Sequence, residues 1–278
     1  MALSQQSQSV QRADRLYRIT RILAGLVVPF LVVAWVILYV LPDRSGELFA
    51  WPVRPTMSAM MLGAAYAGGA YFFTRAVFAR QWHTVALSLP PVAAFTAFLG
   101  VATLLHWDRF TPGHISFITW TTLYVTLPFI LTGAWLLNRR EDPLTPDADY
   151  PPLPRGIRAV LGLIGTILTV LSVLLFLVPE TMLSLWPWTL TPLTSRVMGA
   201  LFVLTGLVGL KIALDGRWSA ARYILQAQIF SIGFILLAVV IARADFDWSQ
   251  AISWAFAVGM AVLGALLVAL YVWMERQR

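Results

Sequence analysis

Apolar residues in this chain fall into eight long runs, with polar and charged residues gathered at the joints between them. The pattern predicts helices over 18–41, 56–79, 83–106, 114–138, 157–179, 192–214, 219–243 and 249–274. Each run has the ~20 residues needed to cross a hydrocarbon layer. Backbone groups in hydrocarbon must be satisfied within their own segment, so each run is expected to be helical. The expected fold class is therefore all-α integral membrane, with eight transmembrane helices. The first run follows Arg15, Arg18 and Arg21 and extends from about Ile22 to Leu41 with no small-x-small cleavage site after it. It reads as a retained helix rather than a signal peptide.

The second half of the chain repeats the first. LYVLPD at 38–43 matches LFLVPE at 175–180, and WPVRPTMSAMMLGA from Trp51 matches WPWTLTPLTSRVMGA from Trp186. Trp82 matches Trp218, and ITW at 118–120 matches ISW at 252–254. Four helices per unit is an even number, so both units enter from the same side and the repeats are parallel. The expected domains are a polar segment 1–17, a first repeat 18–138, a linker 139–156 and a second repeat 157–278. The linker carries Pro143, Pro146, Pro151, Pro152 and Pro154 and reads as a semi-rigid strap.

Charge orients the bundle. Of 20 basic residues, 15 lie at the N-terminus, the even-numbered joints and the C-terminus: Arg12, Arg15, Arg18, Arg21, Arg75, Arg80, Arg139, Arg140, Arg155, Arg158, Lys211, Arg217, Arg222, Arg276 and Arg278. Arg44, Arg54, Arg109, Arg196 and Arg243 fall at the odd joints, while the acids split 7 to 6. A Lys/Arg bias of this kind places both termini in the cytoplasm. The net charge of +7 is dispersed over helix ends, which fits anionic lipid headgroups and excludes a nucleic-acid face. Cysteine is absent, so disulfides, thiolate metal sites and thiol nucleophiles are excluded. Nothing in the sequence calls for a cofactor.

Candidate chemistry is sparse. No Asp or Glu lies in the middle of a predicted helix, which counts against an ion-coupled pump. The densest polar cluster is HWDRFTPGH at 106–114, where His106, Asp108 and His114 could supply three metal ligands beside Arg109. Arg243, Asp245 and Asp247 occupy the matching outer joint of the second repeat. Arg196 stands at the positive end of its helix dipole, so it is expected to pair with Glu180, Asp245, Asp247 or an anion. Pro90 and Pro91 should kink the third helix and free two carbonyls; Gln226 and Gln228 lie at matching depth, giving a possible intramembrane polar spot. Ala64, Ala65, Gly68 and Gly69 on the second helix, with Gly199, Gly206 and Gly209 on the sixth, make these two candidates for a closely packed central seam. Trp51, Trp82, Trp107, Trp135, Trp186, Trp188, Trp218, Trp248 and Trp273 mark helix ends and read as an interfacial belt. The apolar loops 44–55 and 180–192 are expected to lie in the interface or against a partner.

HWDRFTPGHISFITW and FAWPVRPTMSAMMLGAAYAGGAYF resemble segments of uncharacterised bacterial integral-membrane proteins. The resemblance covers mainly the first half, implies only that these regions belong together and carries no activity; the expected location is a bacterial cytoplasmic membrane. Three readings follow, in order. The first is a non-enzymatic accessory subunit or lipophile-binding protein whose partners are membrane lipids and possible membrane subunits. The second is a passive or facilitated transporter with its site between the repeats. The third is an outer-face metal-dependent enzyme.

Overall fold

The computed structural model describes residues 13–145 and 149–277; Arg12, Pro146, Arg278 and the rest of the polar segment 1–12 lie outside them. It is 79% helix with no strands among the described residues. The long helices are α1 Arg18–Trp35, α2 Thr56–Phe78, α3 Leu89–Leu105, α4 Ile115–Asn138, α5 Arg155–Leu177, α6 Pro192–Asp215, α7 Trp218–Ile241 and α8 Ala251–Glu275. Seven of these, with their short extensions, are long and apolar enough to cross a membrane. The architecture is that of a multi-pass membrane protein.

The helix that falls short of that hydropathy is α2, and its position explains why. Of its 23 residues, 14 are buried, so its small and polar side chains meet protein rather than lipid. By contrast, only 6% of the apolar window of α8 is buried, and 17% of that of α1. Packed mostly against protein, α2 can be less apolar than the sparsely buried α1 and α8.

Local sequence sets the breaks. α1 ends in a π-helical turn, Val36–Val40, where the Leu41 N–H donates to the Val36 carbonyl at 3.1 Å. The predicted third helix is interrupted rather than merely kinked. A short helix His83–Ala86 ends, and α3 restarts with Pro90 and Pro91 in its first turn, where a missing N–H costs nothing. α6 starts on a Thr191 side-chain cap and stops at Gly216, whose φ of +77° suits glycine.

The helices pack as α1 on α2, α5 on α6, α3 on α4 and α7 on α8, with α2 against α7 and α3 against α6 crossing between the halves. The seam between the halves does run through α2 and α6, each packed on a helix of the other half, but these two scarcely touch one another. Their glycines do allow close approach, but to other partners. A Cβ on Gly68 would lie 2.8 Å from the Ala227 carbonyl of α7. A Cβ on Gly206 would lie 2.8 Å from the Thr169 nitrogen and 2.9 Å from the Gly165 carbonyl, both of α5.

The tryptophan belt is also only partly realised. Trp107 and Trp273 are exposed, but Trp51, Trp82, Trp188 and Trp218 are each at most 3% exposed and fill the two ends of the bundle. Trp82 and Trp218 close the end that carries the linker. Trp51 packs on Phe110 and Trp120, and Trp188 on Phe246 and Phe256, at the opposite end. The loop 44–55 likewise turns its apolar residues inward: Phe49, Ala50, Trp51 and Val53 are buried in the protein's own core. Its hydrophobicity is spent on closing the bundle. In loop 180–192, Trp188 and Leu190 are buried while Leu185 stays exposed.

Candidate functional site

The metal constellation expected in residues 106–114 does not form. Among the described residues no three His, Cys, Asp or Glu side chains are placed to hold a metal ion. His114 caps α4 by accepting from the Ser116 N–H at 3.3 Å, and Asp108 pairs with Arg109 in the open at 3.2 Å. The third residue, His106, faces Arg196, with Nη1 of the arginine 2.6 Å from Nε2 of the ring.

Arg196 thus contacts an imidazole and not the expected acids; Glu180 acts on the same imidazole through its charge, and the two aspartates are engaged elsewhere. Asp245 caps α2 by accepting from the Met57 N–H at 2.7 Å, and Asp247 accepts from Ser249 and Gln250. Arg243 is exposed, and its carbonyl accepts from the Trp248 indole. Burial, and then the Arg196 charge, hold the His106 imidazole below its ordinary value of 6.5. The ring must be neutral to accept from a guanidinium. A histidine depressed in this way adds stability that is present above pH 6.5 and lost as pH falls below it. Arg196→Ala should move the His106 titration upward, as read from its imidazole C–H resonances; an unmoved midpoint would contradict the pairing.

The intramembrane polar residues divide. Gln226 is held between two tyrosines, accepting from Tyr71 at 2.9 Å and donating to Tyr271 at 2.5 Å. Gln228 instead lines a cavity of about 210 Å³ between the halves, together with Ser88, Thr205 and Ser231. Ser88, just before the Pro90-Pro91 restart, lines the same cavity.

Sequence reading missed the polar network at the linker end. Asp14 grips the residues that follow α2: its Oδ2 lies 2.5 Å from His83 Nδ1, its Oδ1 accepts from the His83 N–H at 3.0 Å, and its carbonyl accepts from the Trp82 N–H. Nearby, Arg217 is clasped by two carboxylates. It reaches Asp142 at 2.7 and 3.0 Å and Asp215 at 2.8 and 2.6 Å. Burial alone would raise the Asp142 carboxyl, but hydrogen bonds from Arg217 and the Leu144 N–H, with the Arg217 charge, hold it below its ordinary 3.8. The same carboxylates hold the guanidinium firmly protonated against its burial. The one available signal was Trp82 and Trp218, since His83 and Arg217 flank these matched residues.

The arrangement best suited to a ligand is a cleft of about 390 Å³ opening sideways between α1 and α4. These helices have no substantial packing along their length. Their walls are apolar, with Phe30 and Ala34 from α1 and Leu123 and Leu127 from α4. The floor comes from α2 and α3 and carries Tyr66, whose hydroxyl lies 2.6 Å from that of Tyr124. Two phenols bring two O–H hydrogens, and the bond between them uses one. The other has no acceptor among the described residues, an omission that costs about 1–3 kcal/mol in an apolar setting. Thr119, on the same wall, makes no side-chain hydrogen bond among the described residues, while Thr96 and Ser116 bond to backbone carbonyls. No charged residue lines the cleft. Chemically, it fits a neutral, largely apolar molecule bearing an acceptor oxygen. Compared with known proteins, the chain matches no family model, and no curated protein or solved structure is significantly similar to it.

Proposed function

We propose that this chain is a non-enzymatic protein of the bacterial cytoplasmic membrane that binds a neutral lipophile in the α1–α4 cleft. The observation that carries the reading is the pairing of apolar, lipid-open walls with a spare phenolic donor at the floor. Sites for small ligands are mostly apolar with a few placed polar groups, which is the character of this cleft. The accessory-subunit reading loses its main support, because the loop meant to face a partner is largely folded into the core.

In this reading all eight helices span the membrane as two parallel repeats with both termini inside. Matching contacts support the repeat. Arg21 Nε donates to the Val77 carbonyl at 2.9 Å, and Arg158 Nε to the Ala213 carbonyl at 2.8 Å. Leu16 N–H donates to the Arg80 carbonyl at 3.0 Å, and Leu153 N–H to the Gly216 carbonyl at 2.8 Å. The ring pair Trp51–Phe110 at 5.0 Å has a counterpart in Trp188–Phe246 at 5.2 Å, with Trp188, two residues past the aligned Trp186, in the place of Trp51. The crossed packing of α2 on α7 and α3 on α6 is what a two-fold axis between the halves would give.

The test is extraction of protein purified in mild detergent, with mass spectrometry of what it carries. A neutral lipid should co-purify at near-stoichiometric amount. Thr119→Trp, which fills the cleft, should abolish occupancy, and Tyr124→Phe should lower it about three- to tenfold, the worth of one neutral hydrogen bond. Occupancy that ignores both substitutions would sink the reading. A passive transporter is the second reading, favoured by the seam cavity around Gln228 and Ser231. That cavity is mostly apolar, with Gln228 and Ser231 among its few polar groups, and the reading requires solute flux through reconstituted vesicles, which a pure binding protein would not show.

A further inference from the structure

On the side of α1 away from the cleft, the linker end carries an open groove of about 700 Å³ edged by Arg15, Arg18, Arg21 and Arg80. No acid lines it. The side chains of Arg15, Arg18 and Arg80 are exposed and make no hydrogen bond or ion pair among the described residues. Arg21 uses only its Nε, donating to the Val77 carbonyl, which leaves both terminal nitrogens free. The nearest carboxylates are already engaged: Asp14 holds His83, and Glu141 accepts from the Tyr17 hydroxyl at 2.6 Å.

Four cations held together without a counter-charge repel one another, and the fold does not oblige them to be there. In the matching place of the second half, Pro152 and Gly216 stand where Arg15 and Arg80 do, and Arg158 is committed to the carbonyls of Ala213 and Leu214. The groove floor is apolar. Ile22 and Val77 lie below the arginines, and Leu26, one turn beyond Ile22, is well exposed along the same side of α1. Charge above a hydrocarbon wall at the end of a membrane helix is the shape of a phospholipid, with its phosphate in the rim and its chains along the wall.

We propose that this groove is a binding site for an anionic glycerophospholipid, preferring one with two phosphates because four guanidinium groups face it. Each arginine near an anionic headgroup contributes about fivefold in affinity, so removing three should weaken binding on the order of 100-fold. The experiment is native mass spectrometry of the purified full chain, titrated separately with diphosphatidylglycerol, phosphatidylglycerol and phosphatidylcholine. The intact protein should prefer them in that order. Arg15→Gln/Arg18→Gln/Arg80→Gln together should lose the preference, while Arg155→Gln in the second half should keep it. Arg18→Gln alone, a single exposed change, should lose about fivefold and serves if the triple variant misfolds. Equal binding of the zwitterionic lipid, or a triple variant that is folded and binds as before, overturns the proposal. So does inorganic pyrophosphate displacing the lipid at equal concentration, which would mean that the groove takes a soluble anion.

Discussion

Gly206→Leu is expected to unfold the second half, or to lower its melting midpoint more than any other single substitution outside the linker-end network. The reason is that α5 and α6 meet backbone to backbone. A Cβ at Gly206 would lie 2.5 Å from Thr169 Oγ1, 2.8 Å from the Thr169 nitrogen and 2.9 Å from the Gly165 carbonyl. The hydroxyl can rotate away, but the two backbone atoms cannot, so the helices must separate. Overpacking a tight interface costs about 1–3 kcal/mol and sometimes more, and here separation also breaks the contacts on which lipid-immersed helices depend. Gly165 faces the same constraint from the other side, with the Gly206 carbonyl 2.7 Å from its would-be Cβ. Gly259→Ala supplies the control. Nothing lies within 4 Å of a Cβ there, so alanine should be neutral or stabilising by up to ~1 kcal/mol through helix propensity. Thermal melts in one detergent would compare the three proteins, and equal midpoints would refute the close-packed α5–α6 contact.

The second large effect is expected at Arg217. Its side chain is 7% exposed, and the carboxylates of Asp142 and Asp215 that grip it are 11% and 14% exposed. Asp142 belongs to the linker and Asp215 ends α6, so this one guanidinium ties the strap between the halves to the second half. Arg217→Ala leaves two half-desolvated negative charges facing one another, a loss of about 3–5 kcal/mol. Lysine should rescue poorly, since it cannot make the paired contacts of a planar guanidinium. The pH dependence should reverse between the proteins. In the intact chain Asp142 sits below 3.8, so its contribution is present above that pH and lost as pH falls through the folded value. Without Arg217 burial is less opposed and the carboxyl rises, so the variant recovers relative stability as pH is lowered from 7 toward 4. A constant gap between the two proteins across that range would show that Arg217 is not the partner holding Asp142 charged.

The membrane-crossing elements were legible because hydrocarbon imposes a length and an apolarity that few other constraints mimic. Their ends were legible to within a few residues where proline or glycine punctuates them, as at Pro154, Pro192 and Gly216. Packing was much less so. On a helix apolar all round, periodicity does not distinguish the lipid face from the protein face, and small residues announce close approach without naming the neighbour. That is why the glycines of α2 and α6 pointed to one seam, while Gly68 meets α7 and Gly206 meets α5. Tryptophan is ambiguous in the same way, since an indole at a helix end suits both the interface and a plug, and Trp82 and Trp218 are plugs. Of the candidate site, the depth of Gln226 and Gln228 could be read. The Tyr66–Tyr124 pair joins residues 58 apart in sequence on different helices, and no local signal links them. Asp14 and His83, 69 apart, were hidden for the same reason.

The two helices flanking the cleft are fastened directly to each other at one end only; at the other, the loop after α1 bridges to α4, with Ser116 Oγ donating to the Leu48 carbonyl at 2.7 Å and Phe49 packed on Trp120. Thr20 donates to Asn138 at 2.6 Å, the Asn138 amide donates to the Arg15 carbonyl, and Asp14 and Tyr17 both bond to Glu141. Nothing comparable joins α1 to α4 nearer Ile115 and Ile37. A molecule beside the linker therefore meets helices bonded to each other, whereas one at the opposite end meets walls joined only through that loop. Traffic into this protein should accordingly be sided, drawing on one monolayer of the bilayer and not the other.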